Sequence, residues 1–188
     1  MLDHLQIRSQ AMPDAMRILL EDYPRESWET HPGFHDKTRY WLGAHQMFRR
    51  LGKLVRTETE KFLDRGRAPD DYAGRLSHYG SALVGNLHGH HRWEDYEYFP
   101  ELSKADPRFD AGLEILENDH AVLDGILNGF TETANRVIKL IALDEAQARD
   151  EAGVLHDQAE AIEALLQRHL RDEEELAVPI ILHHRLRG

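Results

Sequence analysis

HHRWEDYEYFP at residues 90–100 and HLRDEEELAVP at residues 169–179 are two versions of one pattern. Each has a histidine (His90, His169), a glutamate four positions on (Glu94, Glu173), an acid directly after it (Asp95, Glu174) and a proline ten positions after the histidine (Pro100, Pro179). On a helix, residues four apart share a face, with Cβ atoms about 6 Å apart, so each pair aims both donors the same way. That shared face is otherwise apolar, because His90 and Glu94 continue the stripe Leu76, Leu83, Leu87, and His169 and Glu173 interrupt Leu155, Ile162, Leu166, Leu176, Ile180.

Two further stripes have the same helical period, Trp41, His45, Phe48, Gly52, Val55, Phe62 and Leu113, Leu116, His120, Leu123, Leu127, Phe130, Ala134, Val137, Ile141. Strand-like alternation is nearly missing, so an all-α fold is expected, an up-down-up-down four-helix bundle over residues 35–188. Arg65-Gly66-Arg67-Ala68-Pro69-Asp70 and Ala105-Asp106-Pro107 carry turn and helix-start signals, and Asp144 with Gln147 resembles a capping box. Residues 1–34 read as an N-terminal arm packed on the bundle, with a short amphipathic piece from Pro13 and a loop from Tyr23 to Gly33.

Each stripe thus carries a histidine where a core residue belongs, and two also carry a glutamate. Burying such groups uncompensated costs several kcal/mol. Helix arithmetic puts all six at one depth. Residue 45 and the centre of the 90/94 pair are equidistant from the Ala68-Pro69 turn, that pair and His120 from Asp106-Pro107, and His120 and the 169/173 pair from a point beside Asp144. Four imidazoles and two carboxylates exceed the four ligands of one zinc site and suit two first-row metals, each with two nitrogens, bridged by both carboxylates and a solvent-derived oxygen. The chain has no cysteine, so thiolate sites and iron–sulfur clusters are excluded and the metal chemistry uses nitrogen and oxygen.

With these residues in place, the chain resembles the hemerythrin-like (HHE cation-binding) family over roughly residues 35–188, the paired H-x-x-x-E segments with trailing FP or VP carrying the likeness. The resemblance implies a non-haem di-iron centre, two iron ions with a bridging oxo or hydroxo group, held by His45, His90, Glu94, His120, His169 and Glu173, with manganese or zinc as possible substitutes. The oxygen-carrying members have a second histidine four residues after the third-helix histidine and an aspartate in the last helix. Here those places hold Asp124 and Glu173, a pattern similar to the four-histidine, two-glutamate branch, and this points away from simple reversible oxygen carriage.

Other polar residues have blander readings. Steps of about 100° turn His88 and His91 off the stripe, to the surface or behind the ligands, although His91 with Asp95 is a second i, i+4 pair that could take the place of His90 and Glu94. His35, His78, His156 and His183 lie too far along their helices, and His4, His31 and His184 suit solvent. Arg49 and Asp124 read as solvated flanking charges or as groups orienting a ligand, and Tyr40, Trp93, Tyr96 and Tyr98 as packing residues. Gly85, Gly89, Gly125 and Gly129 suit close helix packing or a path for a small ligand. Glu117 with His120 is the lone E-x-x-H pair, whereas ferritin-like di-iron enzymes need two.

Acidic residues exceed basic ones by 34 to 23, which disfavours nucleic acid and anionic membranes as partners. The N-terminal residues lack the apolar run of a signal peptide, and Ala177 to Leu182 is far short of a membrane span, so a cytoplasmic location is expected. The leading functional expectation is a di-iron protein that binds or reacts with dioxygen, nitric oxide or peroxide in a sensing, storage or protective role. An oxidoreductase acting on peroxide or ferrous iron, and a structural interaction bundle with incidental metal affinity, are the alternatives.

Overall fold

The computed structural model describes Arg8 and residues 10–187, so His4 lies outside the described residues. Among these residues there is no strand. A short α1 (Ile18–Asp22) sits between the 3₁₀ turns Asp14–Met16 and Arg25–Thr30, and the long helices follow: α2 (Asp36–Leu63), α3 (Pro69–Trp93), α5 (Asp110–Leu143) and α6 (Glu145–His184). Between α3 and α5 the chain passes through a π-helical turn, Glu94–Tyr98, then α4 (Phe99–Ala105) and a 3₁₀ turn at Pro107–Phe109. The fold is an all-α bundle of four long helices.

The expected breaks fall where the turn chemistry stands. α2 ends on Arg65, at φ 58°, and the Gly66 amide bonds back to the Lys61 carbonyl. This is a Schellman-type end with arginine, not the neighbouring glycine, in the left-handed position. Pro69 opens α3, its missing amide costing nothing in a first turn. Asp144 accepts hydrogen bonds from the amides of Ala146 and Gln147 at 3.0 and 3.1 Å. Gln147 completes the cap differently from a standard capping box, since its side-chain amide donates to the Asp144 carboxylate, not to the cap's backbone. Beyond α4, Asp106 accepts from the Arg108 guanidinium and lies 2.8 Å from His184 Nε2, clasping the end of α6.

Two compact units divide the chain, and all four long helices contribute to each. One contains Met47–Gly89 and Val122–Leu166; the other contains the described residues of Ile7–Gln46, His90–Ala121 and Gln167–Gly188. In the first unit each helix meets the next: Thr59 and Tyr72 hydroxyls lie 2.9 Å apart, Gly80 lets the Phe130 ring approach, Arg136 pairs with Glu151, and Arg56 pairs with Glu163. Gly85, Gly89 and Gly125 do not act in this way. An added Cβ at any of them meets nothing within 4 Å, which corrects the expectation that they serve close packing.

The second unit has its own core. Trp41, Tyr98, Phe99, Leu102, Phe109, Leu113, Leu116, Leu176 and Ile180 are buried together, and Met12, Leu19 and Trp28 of the N-terminal segment belong to the same cluster. Trp28 is held from inside the segment by donating its indole N–H to the Tyr23 carbonyl at 2.8 Å. The stretch from Tyr23 to Gly33, read as a loop, therefore contains an ordered 3₁₀ turn around a buried anchor. No helix among the described residues is long and apolar enough to cross a membrane.

Because a β-carbon in the left-handed region costs roughly 1 kcal/mol, Arg65→Gly is expected to raise the melting temperature by about 3 °C. Thermal denaturation followed by circular dichroism checks this, and a lower melting temperature would show that the Arg65 side chain contributes more than its backbone costs.

Candidate metal centre

All six polar residues that interrupt the stripes lie in the second unit, one layer deep in its core. α2 supplies His45, α3 His90, the π turn Glu94, α5 His120, and α6 both His169 and Glu173. His45, Glu94, His169 and Glu173 have no exposed surface, and His120 is equally enclosed at 2 %. Only the edge of His90 reaches the outside.

The donors fall into two imidazole pairs with carboxylates between them. His45 Nε2 is 3.0 Å from His90 Nε2, and His120 Nε2 is 3.1 Å from His169 Nε2. Glu94 turns Oε1 toward the first pair, 2.8 Å from His90 and 3.8 Å from His45, and Oε2 toward the second, 3.7 Å from His120. Glu173 Oε2 lies 3.5 Å from His45 and 3.7 Å from His169. Each carboxylate thus reaches both pairs.

The donor set fits a pair of cations. Two nitrogens bound at right angles to one first-row ion, each about 2.1 Å from it, stand about 3 Å apart, which matches both imidazole pairs. The oxygens left over point the same way. Glu94 Oε2 and both oxygens of Glu173 are buried with no hydrogen-bond partner in the protein. Each unsatisfied buried acceptor costs about 1–3 kcal/mol, and a bound cation removes that cost.

Electrostatics divide the two carboxylates. Burial, then the facing charge of Glu94, push Glu173 well above the usual carboxylate range. Burial acts on Glu94 in the same sense, but hydrogen bonding and charge from His45 and His90 outweigh it and hold Glu94 well below that range. Trp41 adds to this by donating its indole N–H to Glu94 Oε1 at 2.7 Å. In the metal-free pair these opposite shifts favour the charge on Glu94 and the proton on Glu173. Burial lowers His169 to about 3, against the opposing pull of Asp119, and also lowers His90. Both rings are neutral at pH 7.

The far nitrogens of three rings face carboxylates. His45 Nδ1 lies 3.0 Å from Glu174 and His120 Nδ1 2.7 Å from Asp95, both in hydrogen-bond reach, whereas His169 Nδ1 stands 3.5 Å from Asp119 without a hydrogen bond. An acceptor at Nδ1 places the proton there and turns the Nε2 lone pair inward, the arrangement found behind metal-bound histidines. Asp95 and Glu174 are the acids that follow the glutamate in each repeated segment, and each serves the lone histidine of the other half. Asp119 was missed, and its signal was its place directly before His120.

His91 takes the second of its two expected places, behind a ligand and not at the surface. It is 2 % exposed, its ring is stacked on His120 with centroids 4.0 Å apart, and a nitrogen of His91, His120 and His169 falls within one 4.8 Å cluster. α3 has α2 on one side and α5 on the other. A step of about 100° therefore carries the side chain from one neighbour to the next and not out to solvent. The other expectations divide. Asp124 lies 3.5 Å from His88, Arg49 is half-buried and Glu117 is exposed. Tyr98 is buried and Trp93 stacks on it, but Tyr40 and Tyr96 are more than three-quarters exposed and are not packing residues. His183 is exposed beside Tyr23, His184 is exposed but paired with Asp106, and half-buried His31 accepts the Gly33 amide.

A helical bundle that brings histidines and carboxylates into one buried layer defines a cation-binding protein. A family model, the hemerythrin HHE cation binding domain, matches residues 36–181, and the chain belongs to that family. Comparison with curated proteins and with solved structures returns no match.

Glu173 yields a test on metal-free protein. A carboxyl whose folded pKa is raised above its unfolded value of about 4.3 contributes stability that is present below that value and is lost as pH rises through the folded pKa. The metal-free wild type is expected to lose melting temperature between pH 5 and pH 8 relative to Glu173→Gln, by about 3–5 °C. Parallel pH profiles for the two would show that Glu173 does not hold the proton.

Proposed function

We propose that the protein binds two iron ions through His45, His90, Glu94, His120, His169 and Glu173 and uses them to bind or react with dioxygen, nitric oxide or peroxide. The role is sensing, storage or protection, with turnover of peroxide or ferrous iron as the second reading. One observation carries the proposal: each of two buried carboxylates lies between two imidazole pairs, reaching both. Manganese or zinc can take the same donors.

When bound, the iron pair supplies changes of oxidation state and a coordination position for the small ligand. The chain's residues do the rest. The neutral imidazoles hold the ions through Nε2, aimed by carboxylates at Nδ1. Glu94 and Glu173 balance the charge of both ions at once, and binding releases the proton that Glu173 holds in the metal-free protein. The Tyr98 hydroxyl is buried with no hydrogen-bond partner, and burial together with the charges of Glu94 and Glu173 raises it well above the usual phenol range. It stays protonated and is available to donate to a small ligand. The buried layer admits small molecules and excludes large substrates. The acidic balance of the chain fits a protein without a nucleic-acid or anionic-membrane partner, and the proposed location is the cytoplasm.

Elemental analysis of natively purified protein is expected to give about two irons per chain. His90→Ala and Glu173→Ala are each expected to lower the metal content and, in the loaded protein, the melting temperature together. Retention of two irons by either variant removes that residue from the ligand set. Reversible optical changes with dioxygen or nitric oxide support binding, whereas loss of peroxide over many turnovers makes the oxidoreductase reading the correct one.

A further inference from the structure

The second repeated segment contains four acids in a row, Asp172, Glu173, Glu174 and Glu175, and successive residues on a helix point about 100° apart. Glu173 turns into the centre. The other three are each matched by an arginine from the N-terminal segment: Asp172 by Arg8 at 2.7 Å, Glu174 by Arg25 at 2.6 Å and Glu175 by Arg17 at 2.8 Å. The acid ends Asp172 and Glu174 are buried, whereas Arg17 and Arg25 keep more than two-fifths of their side chains exposed.

Two of these arginines stand directly behind proposed ligands. Glu174 takes Arg25 on Oε2 and meets His45 Nδ1 with Oε1 at 3.0 Å. Asp119 takes Arg8 on Oδ2 at 2.8 Å, and the same oxygen lies 3.5 Å from His169 Nδ1. His45 belongs to one imidazole pair and His169 to the other. Arg25 is itself anchored, its guanidinium lying 4.6 Å above the ring of buried Trp28.

We propose that the N-terminal arm is a positioning element of the metal centre. Arg25 through Glu174 keeps His45 aimed, and so sets how firmly the His45 and His90 pair holds its ion. Without the guanidinium, Glu174 loses the ion pair that fixes Oε2, and with it part of the constraint that holds Oε1 against the His45 N–H. This inference rests on the two-iron reading above. The first chain of contacts is the tighter, so it is the one to test.

Iron-loaded wild type, R25Q, R25K, R17Q, E174Q and R25Q/E174Q are compared for the rate at which an excess of chelator extracts iron, with melting temperature and circular dichroism recorded alongside. Groups behind metal-bound histidines typically change metal affinity 10- to 100-fold. R25Q is expected to release iron about tenfold faster, and the double variant no faster than E174Q alone, because the two residues act in series. R17Q removes the same charge from the arm; Arg17 pairs with Glu175, which Arg25 touches only at 3.7 Å, and the variant is expected to release iron at most a few fold faster than wild type, less than R25Q. R25K keeps the charge but loses the planar stack and falls between. It serves as the folded comparison if R25Q does not fold. R25Q releasing no faster than R17Q, or effects of R25Q and E174Q that multiply in full, would overturn the inference. Wild type that holds two irons while R25Q behaves normally sinks the arm's role alone, whereas wild type that binds no iron sinks both readings.

Discussion

Two fully buried glutamates face each other in the layer, and no protein donor satisfies three of their four oxygens. Everything around them can be read as an answer to that cost. Moving an ionised carboxylate into such a place costs several kcal/mol even after the protein relaxes. The metal-free chain meets the cost by leaving Glu173 protonated and by giving Glu94 an indole N–H and two histidine neighbours. A bound cation meets it better, because it gives the unpartnered carboxylate oxygens a positive charge to face. Metal binding and folding are therefore linked in this core.

The repeat makes the site nearly twofold, and the departures are informative. In the first copy the helix widens into a π turn immediately after His90 and its neighbours, and α4 begins beyond it with Pro100 in its first turn. In the second copy α6 runs on unbroken through Pro179 to His184. A π turn adds a residue to the helical circuit and commonly marks a functional site. Here it lies at Glu94 and Asp95, so the residue that reaches both imidazole pairs and the one that aims His120 are carried on widened backbone.

Much of this was legible in the chain's periodicity. The four stripes, the three breaks and the six residues brought into one layer follow from helical spacing and turn chemistry, because local rules govern all of them. What was not legible depends on which helices stand beside one another. His91 appears to point away from the stripe only if its helix has a single buried face; α3 has two neighbours, and adjacent histidines serve one each. Asp119 needs the knowledge that α6 brings His169 alongside. The arginines of the N-terminal segment pair with acids some 150 residues away, and no spacing rule predicts that. The glycines misled for the same reason, since a run of small residues looks alike whether it meets a helix or open space.

The two halves hold their lone histidines by different means. His45 leans on Trp41, one turn before it on α2, with ring centroids 4.2 Å apart, and the same indole reaches past it to Glu94. His120 has no aromatic residue one turn before it. Its ring is stacked with His91 of α3 and with Phe99 of α4, at 4.0 and 5.6 Å. The first arrangement is built within one helix and adds a donor to the carboxylate layer. The second is assembled from two other elements and adds an imidazole. Both rings have a carboxylate at Nδ1, Asp95 for His120 and Glu174 for His45; His120 packs in addition on rings from two other elements, and His45 on one from its own helix. The chain therefore presents two positions alike in their nearest donors and unlike in what surrounds them, and ions placed there experience different environments although the ligand pattern that defines them repeats.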